Sequence, residues 1–322
     1  MMTIAEAEKT FITQLKSVYD DEEAKGMSFL VIHHLTGISK SHFLLNKADI
    51  IEELHQPSLL RIINELKTGK PLQYILGETE FYGLRFKVNP SVLIPRPETE
   101  ELVDWIVNEV RSLKSEIGPH TSHLIPHTSH LIPHTSHLNP QSSDLLPQTP
   151  NLIILDIGTG SGCIAVSLKK HLPEARVHAL DKFPAVLDTA RQNAALNETE
   201  IIFFEADILN NPDLPENLKY SIIVSNPPYI SNYEKQNMHT NVLEHEPHTA
   251  LFVSDETPLI FYERIAAFAK THLINGGLLF FEINEELGKA TVDILKKDDF
   301  FNIELKKDLQ GKDRMIRAQY RI

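Results

Sequence analysis

Two short stretches carry residue types whose spacing could do chemistry. The first is Asp156-Ile157-Gly158-Thr159-Gly160-Ser161-Gly162, which directly follows an apolar run and directly precedes a helical one. Glycines permit a tight turn there and let a ligand approach the backbone closely. The spacing departs from the dinucleotide fingerprint G-x-G-x-x-G, because position 163 is Cys163. Asp156, at the strand end, could accept from an amine or lie near a sulfonium, but it would repel a pyrophosphate. Asp181 ends the next β-rich run, where an acid can take both hydroxyls of a ribose. Asp207 follows the third run, placed to accept from an adenine amino group, with Ile208 as an apolar wall. The competing reading is that these aspartates only cap the next helices, since Asp is a favoured cap. Three acids in register at successive strand ends weigh toward the ligand.

The second stretch is Asn226-Pro227-Pro228-Tyr229, immediately after a fourth β-rich run. It suits methylation of a planar nitrogen whose lone pair is delocalised, in a carboxamide or an aromatic amine. Asn226 can accept one N–H through its side-chain oxygen while the Pro227 carbonyl accepts the other, so that electron density faces a methyl donor. The following proline restricts Asn226 to extended geometry, and the two prolines stiffen the turn. Tyr229 supplies a flat ring for a planar substrate. No histidine base is demanded, because an N-alkylated amide cation is acidic enough to lose its proton to water. Alone, such a tetrapeptide would pass for an ordinary loop turn; its place downstream of the glycine turn and the acids argues for a site. On this reading Asn226, Pro227 and Tyr229 are catalytic, and Asn226 to Tyr229 bind substrate. Asp156, Gly158, Thr159, Gly160, Ser161, Gly162, Asp181, Asp207, Ile208 and Asn226 bind a cofactor.

The elements that must position these residues alternate from Asn151 onward, as in a doubly wound α/β sheet. The β-rich runs are 152–155, 177–180, 201–204, 221–224 and 278–283, with helical stretches after Gly162, Phe183, Thr257 and Glu285. Residues 302–305 and 315–320, with Gly311 between them, read as two closing strands. An antiparallel pair there would separate a methyltransferase sheet from an all-parallel dinucleotide fold. Upstream, apolar residues from Ile4 to about Leu76 recur at helical spacing, with breaks near Gly37, Pro57 and Gly69, which predicts four or five short helices. Residues 80–88, with Phe81, Tyr82 and Phe86 around Gly83, predict two strands and a tight turn. Leu102, Val103, Ile106, Val107 and Val110 mark one face of a helix that follows Pro97 and ends near Leu113.

Between that helix and the sheet, prolines fall at 119, 126, 133, 140 and 147, and Pro-His-Thr-Ser-His-Leu-Ile repeats with decay. Proline in every heptad rules out a coiled coil, and the unit is too short to build a core. The stretch is expected to be a disordered or polyproline-like insert. Its histidines, 120, 123, 127, 130, 134 and 137, have no carboxylate or cysteine beside them to fix a metal geometry. No metal is expected.

The 322 residues allow about two domains, and 42% hydrophobic content can fill their cores. The first ten residues carry Glu6, Glu8 and Lys9 and read as neither signal nor transit peptide, and no uncharged run is long enough to span a bilayer. A single cysteine, Cys163, excludes a disulfide framework and fits a reducing compartment, so the cytoplasm is expected. The net charge of −13 and the lack of a basic stripe disfavour direct nucleic-acid and membrane binding. Residues 1–90 hold 10 Lys/Arg and 12 Asp/Glu, so the acidic excess lies in the remainder.

Several motifs together resemble the HemK/PrmC family of peptide chain release factor N5-glutamine methyltransferases. They are Pro71-Leu72-Gln73-Tyr74-Ile75-Leu76-Gly77, Phe81-Tyr82-Gly83, Leu93-Ile94-Pro95-Arg96-Pro97-Glu98-Thr99-Glu100, the glycine turn, Val224-Ser225-Asn226-Pro227-Pro228-Tyr229-Ile230, and Glu246-Pro247 with Ala250-Leu251. The likeness covers nearly the whole chain except the heptad insert. It implies an α/β fold: a seven-stranded, Rossmann-like class I S-adenosylmethionine-dependent methyltransferase sheet, with a small N-terminal helical domain joined by a β-hairpin. It implies a docking domain at 1–78, a hairpin linker at 79–97, and a catalytic domain at 98–322 with its insert at about 117–150. S-adenosyl-L-methionine would be the donor, S-adenosyl-L-homocysteine the product, and Gly158 to Gly162, Asp181 and Asn226 would contact the donor. Asn226 to Tyr229 would grip the glutamine of the Gly-Gly-Gln motif of a class I release factor, and a monomer is expected. Position 208 is aromatic in some relatives and is Ile208 here, which weakens its assignment to adenine. Alternatives are a ribosomal protein glutamine methyltransferase, toward which the segment 95–100 leans less, and an adenine-N6 DNA or RNA methyltransferase, which would want a basic stripe and a sizeable target-reading domain.

Overall fold

The computed structural model describes residues 2–116, 152–210, 212, 214–215, 218–231, 233–238 and 240–321. The expected insert at 117–150, with its heptad prolines and histidines, lies outside the described residues.

The N-terminal part is a bundle of five helices, α1 (Ile4–Leu15), α2 (Asp21–Thr36), α3 (Lys40–Leu45), α4 (Gln56–Leu66) and α5 (Leu72–Leu76). Capping sets their ends. Thr3 and Glu6 form a reciprocal capping box at α1, and Asp20 and Ser39 cap α2 and α3. Gly37 closes α2 in the left-handed region, as Gly77 closes α5, and Pro57 sits in the first turn of α4. A two-residue strand β1 (Met2–Thr3) pairs antiparallel with β2 (Ile50–Ile51). Phe11, Leu15, Ile32, Leu59, Ile62, Ile63 and Leu66 fill a core separate from that of the sheet.

Strands β3 (Glu78–Phe81) and β4 (Leu84–Lys87) form the expected hairpin. Both loop residues have positive φ, Tyr82 at 49° and Gly83 at 71°, the two-residue turn whose twist matches the flanking strands. The Tyr82 N–H donates to Glu100 Oε1 (2.8 Å), which holds that strained conformation against the next helix. The hairpin is more than a connector. Phe81 and Phe86 are buried in the same core as Leu102, Val103 and Ile106 of α6 (Pro97–Glu116) and Phe280 of the sheet.

The sheet has seven strands. In chain order they are β5 (Ile153–Ile157), β6 (Arg176–Asp181), β7 (Ile201–Glu205), β8 (Tyr220–Ser225), β11 (Leu273–Glu282), β12 (Phe300–Lys307) and β13 (Asp313–Tyr320), and their spatial order is β12-β13-β11-β8-β5-β6-β7. β5, β6, β7, β8 and β11 are parallel, and β13 runs antiparallel to both β11 and β12. That is the closing pair the sequence predicted. Every residue of β8 is buried, as expected for a parallel strand covered on both faces. Helices α7 (Cys163–His171), α8 (Pro184–Leu196), α11 (Ile260–His272) and α12 (Gly288–Lys297) flank the sheet.

Some elements differ from the sequence reading. β11 begins at Leu273, before the expected 278, because an irregularity between Leu273 and Leu278 lets a glycine-containing segment rejoin β8. α6 continues to Glu116. Beyond β8 the chain adds β9 (Ile230–Ser231), α9 (Thr240–His245), α10 (His248–Leu251) and β10 (Phe252–Val253), with β10 parallel to β9. These pieces are too short to show a period.

Candidate active site

β6 and β8 flank β5 on opposite sides, so the strand order reverses at β5. Open α/β sheets bind ligands beyond the carboxyl ends of their strands at such a switch point. The glycine turn leaves β5 there. The N–H groups of Gly158 and Thr159 donate to the Leu180 carbonyl (2.9 and 3.0 Å), folding the turn over the end of β6. Gly158 and Gly160 have φ of 72° and 56°, and a Cβ added to either would meet no atom within 4 Å. Their bare faces look into open space. Gly162 serves otherwise: a Cβ there would come 3.1 Å from the Ala190 Cβ of α8, so the missing side chain permits close packing of the turn on that helix.

Asp181 accepts from Gly160 N (3.1 Å) and Phe183 N (3.2 Å), and burial raises its carboxyl pKa. Asp207 accepts from Leu209 N and Asn210 Nδ2 (3.0 Å each), so it does cap the turn that follows it, while also reaching the ligand space. Gly158, Thr159, Gly160, Ser161, Asp181, Asp207, Ile208 and Asn226 line one solvent-open cleft, with Pro228 beside them. Asp156, Gly162, Pro227 and Tyr229 are not on its wall. Asp156 is fully buried behind the turn, where its Oδ2 accepts the Thr159 hydroxyl (2.6 Å) and its carboxyl lies near the Ala165 N–H, with no close hydrogen bond to Oδ1 among the described residues. Burial pushes this carboxyl up to about 7, against the Thr159 bond. It therefore shapes the turn instead of facing a ligand. Burial likewise pushes the Cys163 thiol, on the cleft wall, up to about 12, so it stays protonated.

Three further side chains complete the site, and the sequence reading gave them no role. Thr99 lines the cleft and takes a hydrogen bond from Asn226 Nδ2 (3.2 Å). Glu282, at the end of β11 and 1% exposed, accepts from the Thr99 hydroxyl (2.6 Å) and the Tyr229 hydroxyl (3.2 Å). Burial lifts its carboxyl to about 6, moderated by those two bonds and by Arg314. Arg96 reaches both oxygens of buried Glu246 (2.6 and 2.8 Å), joining two segments far apart in sequence at the cleft wall. The signal for Glu282 was present: a lone acid closing an otherwise apolar strand, where a buried charge demands partners. Among the described residues no group of three or more His, Cys, Asp or Glu could hold a metal ion, and no helix is long and apolar enough to cross a membrane.

Residues 142–254 match the family described as methyltransferase small domain, and residues 6–77 match the PrmC N-terminal domain. The chain is 43% identical to a release factor glutamine methyltransferase of Flavobacterium psychrophilum, over 99% of this chain and 100% of that one. The chain belongs to the release factor glutamine methyltransferase family. The relative of the same name from Bacteroides thetaiotaomicron is 38% identical over 94% of this chain and 95% of its own length, and that from Bacillus subtilis is 34% identical over 99% and 98%. Membership makes the chain an enzyme that moves a methyl group from a donor. It also accounts for the glycine turn, the strand-end carboxylates and Asn226 lining one cleft.

Proposed function

We propose that this enzyme methylates the side-chain amide nitrogen (N5) of the glutamine in the Gly-Gly-Gln motif of class I release factors, in the cytoplasm and as a monomer. The observation that carries the reading is that Asn226, of Asn226-Pro227-Pro228-Tyr229, lies on the wall of the same cleft as the glycine turn and Asp181. A planar amide held by Asn226 would therefore sit next to whatever the glycine turn holds.

The residues present fit S-adenosyl-L-methionine. The open faces of Gly158 and Gly160 admit a ligand against the backbone, Asp181 offers a carboxylate for ribose hydroxyls, and Asp207 and Ile208 offer an acceptor and an apolar wall for adenine. When bound, it supplies an electrophilic methyl group, and the demethylated product is S-adenosyl-L-homocysteine.

The protein's share of the work is positioning. Asn226 Oδ1, on the cleft wall, accepts one substrate N–H and brings the nitrogen to the donor; the Pro227 carbonyl, expected to accept the other, belongs to a residue off that wall, so Asn226 carries the positioning of the amide plane. Pro227 and Pro228 hold the loop stiff, and Tyr229, anchored through Glu282, supports it. After transfer the cationic amide loses its proton to water. Residues 1–78 serve as the docking domain for the release factor, 79–97 as the hairpin linker, and 98–322 as the catalytic domain. No direct contact with nucleic acid is part of this reading.

The test is transfer of labelled methyl from S-adenosylmethionine to purified release factor, beside a factor whose Gly-Gly-Gln glutamine is changed to alanine. Label that disappears in the altered factor supports both substrate and residue. Label on ribosomal protein or nucleic acid alone would replace the substrate while leaving the fold and donor site in place.

A further inference from the structure

A carboxamide has two faces of nearly equal shape, oxygen and NH2, and only one orientation of Asn226 puts its oxygen toward a substrate amide. Something must choose between them. Asn226 Nδ2 donates to Thr99 Oγ1 (3.2 Å), and Thr99 Oγ1 donates to Glu282 Oε2 (2.6 Å). A hydroxyl carries one proton and an ionised carboxylate carries none. The Thr99 proton is thus committed to Glu282, its oxygen can only accept, and the group of Asn226 that faces it must be NH2. The other carboxylate oxygen takes the Tyr229 hydroxyl (3.2 Å), which burial and Glu282 keep protonated. Thr99 and Glu282 are 2% and 1% exposed, so water cannot readily substitute for either partner.

We propose that Glu282 and Thr99 are positioning residues that act as a one-way hydrogen-bond relay, fixing the polarity of the Asn226 carboxamide so that Oδ1 faces the substrate glutamine. This rests on the reading of the cleft as a glutamine amide site. The relay has a direction only while Glu282 is ionised. A protonated Glu282 can donate to Thr99, Thr99 can then donate to Asn226 Oδ1, and the amide turns its NH2 toward a substrate that also offers NH2. The groups around this carboxyl are Thr99 and Glu98 of α6, Tyr229 after β8, Tyr262 of α11, Cys163 of α7 and Arg314 of β13. Of these, the Thr99 and Tyr229 hydroxyls and then Arg314 favour the ionised form, Glu98 opposes it, and burial opposes it more.

The experiment uses the full-length enzyme with release factor as substrate and reads kcat, KM for the factor, and S-adenosylmethionine affinity by calorimetry. Thr99→Val, which keeps the shape and removes the hydroxyl, should lower kcat by about 10- to 100-fold, with donor affinity and KM within about threefold of wild type. Thr99→Ser should recover kcat to within about threefold. Wild-type kcat should fall about tenfold per pH unit well below pH 6, and Glu282→Gln should give a lower kcat that is flat from pH 5 to 8. Thr99→Val within threefold of wild type, Thr99→Ser as impaired as Thr99→Val, or an acid limb that survives in Glu282→Gln would each overturn the relay. Should Thr99→Val not fold, the wild-type profile decides by itself: constant kcat from pH 7 to 5 overturns the proposal, and the acid limb supports it. A wild type that labels no release factor glutamine at any pH overturns the functional reading and the relay together, whereas unaffected variants of an active wild type overturn the relay alone.

Discussion

Asn226 and Asp156 stand at opposite ends of the same problem, one on the cleft wall and one behind it. Replacing Asn226 with alanine removes an acceptor aimed at the reacting group but leaves the glycine turn and Asp181 in place. We expect kcat to fall at least about 100-fold while donor binding, though weakened by the lost Asn226 contact, stays measurable by calorimetry. Asp156 is predicted to act through stability. Its carboxyl titrates near 3.8 when unfolded and is pushed to about 7 in the fold. The folded state therefore binds the proton more tightly, and the stability this group contributes is fully present below about pH 4 and is lost as pH rises through about 7. Asp156→Asn cannot titrate, so its unfolding free energy from denaturant titrations should rise relative to wild type across that window, by up to about 4 kcal/mol, and the difference should hold constant above it. The residues on the cleft were readable because their types are rare in that order: glycines after an apolar run, acids at strand ends, Asn before two prolines. Thr99 was not, because a threonine in a helix acquires meaning only when β11 brings Glu282 within 2.6 Å of it; Glu282 gave a signal as a lone acid in its strand, but not the partner that explains it.

At the scale of elements, α8 does more than cover the sheet. Thr189, Asn193 and Asn197 repeat every fourth residue along it and face the hairpin segment. Thr189 bonds the Asn89 side chain, Asn197 donates to the Arg85 carbonyl, and Asn193 receives the Lys87 N–H and donates to the Lys87 and Ser161 carbonyls. One fully buried amide thus ties the hairpin to the glycine turn. Asn193→Leu keeps the volume and strands these backbone groups, so it should lower stability by roughly 2 to 4 kcal/mol in urea unfolding, with a slope near wild type. The alternation of strands and helices from Asn151 was legible from period and composition. The polar stripe on α8 was not read, because Asn and Thr at helical spacing look like a solvated face until a partner strand lies against them. β9, α9, α10 and β10 escaped for want of length.

The whole molecule holds its cleft where the strand order reverses at β5, with the antiparallel β13 next to the far edge strand, β12. A ligand that bridges β5, β6 and β8 there should hold those strands together. S-adenosylmethionine at about 100 times its dissociation constant should stabilise the fold by about 2.7 kcal/mol, raising Tm by several degrees in a scan, while NAD at the same concentration should leave it within about 1 °C. An equal response to NAD would remove the donor site proposed for the glycine turn. The hairpin, finally, lies on the sheet side of a boundary between two apolar interiors, since Phe81 and Phe86 belong with the sheet and Phe11 and Leu66 with the bundle. Native-state hydrogen exchange should find that boundary just before Glu78. The amides of β3 and β4 would exchange only as fast as those of β5, and the amides of α1, α2 and α4 would open as a separate, less protected unit. Tyr74 of α5, whose hydroxyl donates to the Val92 carbonyl on the cleft wall (2.6 Å), is the point through which loosening of the bundle, on its own or as a partner is received, would reach the edge of the cleft.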